Sequence, residues 1–194
     1  MGRENNIGWM KECFAASHAA LNSLEAQIEK VSDAADMLVK AFEDGGKLLT
    51  AGNGGSAAEA MHMAEEAIGR FRANRISLPA VALVADGTAL TCIGNDYGFD
   101  NVFSRQVEGL GKEGDVLVLF STSGNAENLL RAVEAAKAKK LKTIAVLGRD
   151  GGRLSGKADI EIIIEGTDSG RIQEAHQLFM HIVLDAVDHR FVVA

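Results

Sequence analysis

Five short runs of nearly unbroken apolar residues, KLLTAG, AVALVA, DVLVLFS, KTIAVLG and DIEIIIE, punctuate the chain between residues 47 and 165. A strand with one wet face alternates apolar and polar residues, so runs without alternation predict strands covered on both faces. Segments of helical spacing, at 56–72, 88–94, 100–109, 125–139 and 171–190, separate and follow these runs. Strand and helix in alternation close into right-handed crossovers, which predicts a central parallel sheet flanked by helices, an α/β fold. Pro79, the single proline, falls just before the second run, where a missing donor does little harm.

Residues 7–42 read as helix throughout, with Ser32-Asp33 offering a cap that would split the run. This N-terminal helical arm, residues 1–45, precedes the α/β part, residues 46–194, within one structural domain. The arm's apolar residues, among them Trp9, Phe14, Leu21, Leu24 and Ile28, require cover, either from the sheet helices or from a second subunit. Oligomerisation is the expectation.

Composition narrows the function. At 194 residues the chain is long enough to bury a core without disulfides or a structural metal. Its 20 basic and 27 acidic residues, net −7, give no general attraction to nucleic acid or an anionic membrane, so no partner of either kind is expected and an anionic substrate needs a local site. Cys13 and Cys92 form neither a disulfide framework nor a cysteine metal site. The N-terminus lacks the apolar core of a secretion signal, and Gly2 is followed by Asn6 where a myristoylation pattern wants Ser or Thr. A cytoplasmic protein is expected.

Two loops suit phosphate. Gly52-Asn53-Gly54-Gly55-Ser56 leaves the first strand and opens a helix, so its backbone amides and the helix N-terminus converge on one spot. Ser121-Thr122-Ser123-Gly124-Asn125 leaves the third strand in the same way and adds three hydroxyls. The first loop has a lesser reading as a plain tight turn whose glycines permit positive φ, and the second alone is as often a helix cap as a ligand site; two at the carboxyl ends of strands in one sheet point to a ligand crevice. Neither has the lysine of a Walker loop. Gly52-x-Gly54-x-x-Ala57 also satisfies a dinucleotide fingerprint, but no acidic residue ends the second strand about 20 positions on.

The helix after the first loop carries His62, Glu65 and Glu66. His62 and Glu66 are one turn apart on one face, positioned to meet one substrate or metal, though such spacing also describes a surface pair. In the last helical segment Gln173 and His181 share a broad face, about 80° apart in projection. His176 and His189 lie elsewhere on that helix, as surface or buried hydrogen-bonding residues. Spacing does not bring His181 to Glu66.

The motifs A-G-N-G-G-S, A-M-H-M-A-E-E-x-x-G-R-F, I-G-N-D-Y-G-F, S-T-S-G-N and R-I-Q-E-A-H-x-x-x-x-H, spread over nearly the whole chain, resemble the phosphoheptose isomerases of the sugar isomerase (SIS) domain family. The resemblance implies a flavodoxin-like fold, a homotetramer with active sites between subunits, and conversion of D-sedoheptulose 7-phosphate to D-glycero-D-manno-heptose 7-phosphate, the entry to activated heptose. It implies Glu66 as general base and His181 as acid/base partner. Asn53, Gly54, Gly55, Ser56, Glu66, Arg70, Asn95, Asp96, Ser121, Thr122, Ser123 and Gln173 match substrate-contacting positions. His62, Glu66, Gln173 and His181 match positions that hold one zinc ion per subunit. Where the family often has another phosphate-contacting Ser, this chain has Ala126. The rival class is a non-catalytic SIS-fold protein of the replication-initiation type or a sugar-phosphate sensor; these lack the His and Glu set.

Overall fold

The computed structural model describes residues 3–192; Gly2, the residue a myristoylation pattern would need, lies outside the described residues. Two helices, α1 (Arg3–Glu25) and α2 (Ile28–Glu43), precede five strands: β1 (Leu48–Gly52), β2 (Ala80–Ala82), β3 (Val116–Ser121), β4 (Lys142–Gly148) and β5 (Ile160–Ile164). Between and after the strands run α3 (Gly55–Ile68), α4 (Gly87–Tyr97), α5 (Ser104–Leu110), α6 (Glu127–Ala138) and α7 (Ser169–Phe191). All pairs are parallel, in the order β2-β1-β3-β4-β5. This is the flavodoxin order, with its switch point between β1 and β3.

Alternate residues of each strand feed two cores. Leu48, Val116, Val118, Phe120, Ile144, Val146 and Ile162 face α2, α3 and α7; Leu49, Ala51, Leu117, Leu119, Ala145 and Leu147 face α5 and α6. Both sides being covered, neither face needs polar residues, which is why the runs are continuous. The arm divides. Leu24 of α1 and Val31, Leu38 and Phe42 of α2 join the first core, whereas Ile7, Trp9, Met10 and Phe14 remain exposed.

Some boundaries differ from the sequence reading. The arm breaks at Ala26-Gln27, not at Ser32-Asp33, which sit exposed inside α2. There the Gln27 carboxamide donates to Ile163 O at 2.8 Å and accepts from Ile163 N at 3.1 Å, while Ser23 Oγ accepts from Glu165 N at 2.9 Å. The exposed edge of β5 thus recruits the interhelical turn. Only the first half of AVALVA is strand, because Ala85 N turns back to Ala82 O and Asp86 caps α4 by accepting from Thr88 N and Ala89 N. The helix expected over 100–109 is a 3-10 turn (Phe99–Asn101) followed by α5.

Candidate active site

Both glycine and serine loops leave the carboxyl ends of β1 and β3, the two strands that flank the switch point. Gly54 takes φ 58°, which lets β1 pass into α3 within three residues. Gly124, at φ +63°, packs so closely on the backbone oxygen of Gly151 that no β-carbon fits. In the second loop Ser121 Oγ accepts from Gly124 N at 3.0 Å and Ser123 Oγ from Asn125 N at 3.3 Å, so each hydroxyl keeps its own proton for donation elsewhere.

A cavity of about 110 Å³ lies between the loops, lined by Asn53, Ser56, Phe120, Ser121, Thr122, Ser123, Ala126 and Gln173. None of these is charged. An anion there would be held by hydroxyls, amides and the N-termini of α3 and α6, an arrangement that suits phosphate. Ala126 is the N-cap of α6 and supplies no side-chain acceptor, so the missing hydroxyl costs one donor to the ligand and leaves the first-turn amides without a side-chain competitor. Asn53 is fixed by a reciprocal amide pair with the buried Asn128, two hydrogen bonds of 2.9 Å.

From this cavity α3 and α7 run alongside each other, joined by successive rungs. The Gln173 amide lies against Gly55, leaving no space for a side chain there. Next, His176 Nε2 donates to Leu147 O at 3.1 Å, and its Nδ1 faces Glu59 Oε2 at 3.6 Å, both residues being buried. One turn further, the Gln177 amide nitrogen is 2.6 Å from His62 Nδ1 and 3.2 Å from His181 Nε2. Because that nitrogen only donates, both ring atoms accept, which leaves His62 Nε2 to donate to Glu66 Oε1 at 3.2 Å. His62 and His181 meet edge to face at 5.3 Å, and Phe71 stacks on the other side of His181 at 5.1 Å. Burial, and then the nearby His62, hold the His181 pKa below its ordinary value against the opposing pull of Glu66.

The sequence-derived residues therefore fall into three places. Asn53, Gly54, Gly55, Ser56, Ser121, Thr122, Ser123 and Gln173 gather at the first end; His62, Glu66 and His181 gather at the other. Arg70, after α3, and Asn95 and Asp96, on α4, point into solvent on this single chain. Of the four residues matched to zinc, Gln173 lies at the cavity and the other three at the histidine cluster. Among the described residues, His62, Glu65 and Glu66 bring a ligand atom each to within 4.8 Å of one another. Sequence reasoning did not single out Gln177, Asn128 or Phe71. Gln177 had a signal, since it stands four residues from both Gln173 and His181; Asn128 had none, its partner being 75 residues away.

A family model of the SIS domain matches residues 13–148. The chain is 44% identical over 181 residues to the phosphoheptose isomerase of Helicobacter pylori strain P12, covering 93% of this chain and 94% of that one. Its fold superposes on a phosphoheptose isomerase from Neisseria gonorrhoeae with a TM-score of 0.88 at 42% identity, over 94% of this chain and 98% of the other. A phosphoheptose isomerase from Francisella tularensis gives a TM-score of 0.90 at 36% identity, over 97% and 100%.

Proposed function

The chain belongs to the phosphoheptose isomerases of the SIS domain family, and from that premise we propose a role for each part of the site in converting D-sedoheptulose 7-phosphate to D-glycero-D-manno-heptose 7-phosphate. One observation carries the assignment of roles: a neutral anion cavity lies at the N-terminal ends of α3 and α7 and a His/Glu cluster lies two to three turns further along both, Gln173 and His181 being eight residues apart on α7. At 1.5 Å per residue that is about 12 Å, room for an extended sugar with its phosphate at one end and its carbonyl at the other.

The loop hydroxyls and the amides of α3 and α6 hold the phosphate. Glu66 removes a proton from C1 of the ketose, giving an enediol, and returns it to C2 of the aldose. His181 moves the proton between the two oxygens, taking it from O1 and giving it to O2. Gln177 orients both imidazoles. Asn53, held by Asn128, presents its remaining groups to the sugar.

The donor set fits a divalent metal such as zinc: His62 and Glu66 are already in contact, Glu65 is adjacent, and His181 is across the Gln177 amide. His62, Glu66 and His181 would hold it, while Gln173, the fourth residue matched to zinc, lies two turns away on α7 at the anion cavity. When bound, such an ion polarises a carbonyl and steadies negative charge on its oxygen. Glu66 serves as base through the oxygen that its bond to His62 leaves free.

Assembly as a homotetramer accounts for the exposed Ile7, Trp9, Met10 and Phe14 of the arm and gives Arg70, Asn95 and Asp96 a site to complete between subunits. No described helix is long and apolar enough to cross a membrane, and with its sugar-phosphate substrate the enzyme belongs in the cytoplasm.

The test is to incubate metal-depleted protein with sedoheptulose 7-phosphate, with and without zinc, and follow the aldoheptose phosphate by NMR. Product that accelerates with zinc supports both the reaction and the metal set; product indifferent to zinc keeps the reaction and removes the metal. No product under either condition favours a non-catalytic sugar-phosphate binder.

A further inference from the structure

Asp188 lies seven residues beyond His181 on α7, about 20° away in projection and two turns on. Its side chain is 4% exposed, and that of its partner Arg75 is 0% exposed. One carboxylate oxygen accepts from Arg72 N at 2.7 Å and Ala73 N at 3.1 Å; the other accepts from Arg75 Nε. The rest of the guanidinium is also used: Nη1 donates to Ala67 O and Ile76 O at 2.9 Å, and Nη2 donates to Glu66 O at 2.6 Å. Ala67 and Glu66 are in the last turn of α3, whose carbonyls lack helical partners and whose dipole favours a cation.

Two positions needed for catalysis are tied to this one ion pair. Arg75 fixes where α3 ends, and Glu66 is in that turn. Asp188 fixes the chain at residues 72 and 73, and the preceding Phe71 is the ring stacked on His181. We infer that the Asp188–Arg75 pair is a positioning device that sets Glu66 and the His181 ring relative to each other across α3 and α7. The inference rests on the assignment of those two residues as base and acid/base partner. The anion cavity, at the far end of both helices, makes no contact with the pair.

Arg75→Lys is the informative substitution, because it keeps the charge beside Asp188 but cannot reach three carbonyls in one plane. Asp188→Asn is the second; it leaves a buried cation uncompensated, so its fold is checked by circular dichroism before use. With sedoheptulose 7-phosphate and zinc, Arg75→Lys is expected to lower kcat on the order of tenfold to a hundredfold, the effect of small displacements of catalytic groups, with KM within about threefold. In proton–carbon NMR, the Cε1–H resonance of His181, shifted by the Phe71 ring current, is expected to move in both variants. A folded Arg75→Lys enzyme with kcat within about twofold of wild type, a loss confined to KM, or an unmoved His181 resonance overturns the inference. If the wild-type protein itself makes no product, the assignment of the site fails, and the His181 resonance alone decides whether the pair sets that ring.

Discussion

At the scale of single residues, the site depends on which atoms are left free by the hydrogen bonds already made. Glu66 gives one oxygen to His62 Nε2 and keeps the other for a substrate proton or a metal. Glu66→Gln preserves the shape and the acceptor but not the basicity, so kcat should fall at least about a hundredfold, the contribution of a positioned base. Binding of the sugar phosphate, measured by calorimetry, should change little, because the anion cavity is untouched. A variant that keeps more than about a tenth of wild-type turnover would show that another group takes the proton. Beneath the site, His176 donates one ring nitrogen to Leu147 O, and its other nitrogen meets a Glu59 carboxylate with no other partner. At 3.6 Å these buried atoms face each other without a hydrogen bond, so what fixes the His176 ring is its bond to Leu147 O.

At the scale of elements, the phosphate end is a matter of backbone. Gly124 has both a positive φ and a β-carbon position that would overlap Gly151 O. Gly124→Ala should therefore displace the Ser121–Ser123 loop: KM for the sugar phosphate should rise tenfold or more with kcat less affected, and thermal unfolding should show a loss of more than about 1–2 kcal/mol, the left-handed penalty alone. Unchanged KM would remove the serine loop from phosphate binding. The strands and the main helices were legible because burial on both faces writes itself as uninterrupted apolar runs, and the His62–Glu66 pair because one turn of helix relates them. The end of β2 was not, since an Asp86 cap and a turn stop it while the sequence is still apolar. Nor was the break before α2, set by Gln27 reaching a strand 136 residues away. The rungs joining α3 to α7 were invisible for the same reason: periodicity describes one helix at a time.

At the scale of the whole molecule, the proposed assembly rests on apolar surface that the single chain leaves open. The first half of α1 displays Trp9 at 61% and Phe14 at 68% exposure, and α4, which carries Asn95 and Asp96, has no buried residue. Apolar surface of this kind, contiguous along one helix, is expected at contacts between copies. Light scattering should give about four times the 20.5 kDa of one chain, and Trp9, the only tryptophan, should shift its emission to the red as dilution separates the copies. A mass of one chain at every concentration would return the arm to solvent and leave Arg70, Asn95 and Asp96 without a site to join.

An open sheet also has two rims along which a stray chain can add itself. One rim here is only three residues long, and the other is answered by the carboxamide of Gln27, which gives and takes the hydrogen bonds that a sixth strand would. A glutamine ages. Loss of its ammonia would set a negative oxygen against the Ile163 carbonyl in place of a donor, and leave Ser23 and Lys30, at either side of that bond, as the side chains still closing the rim.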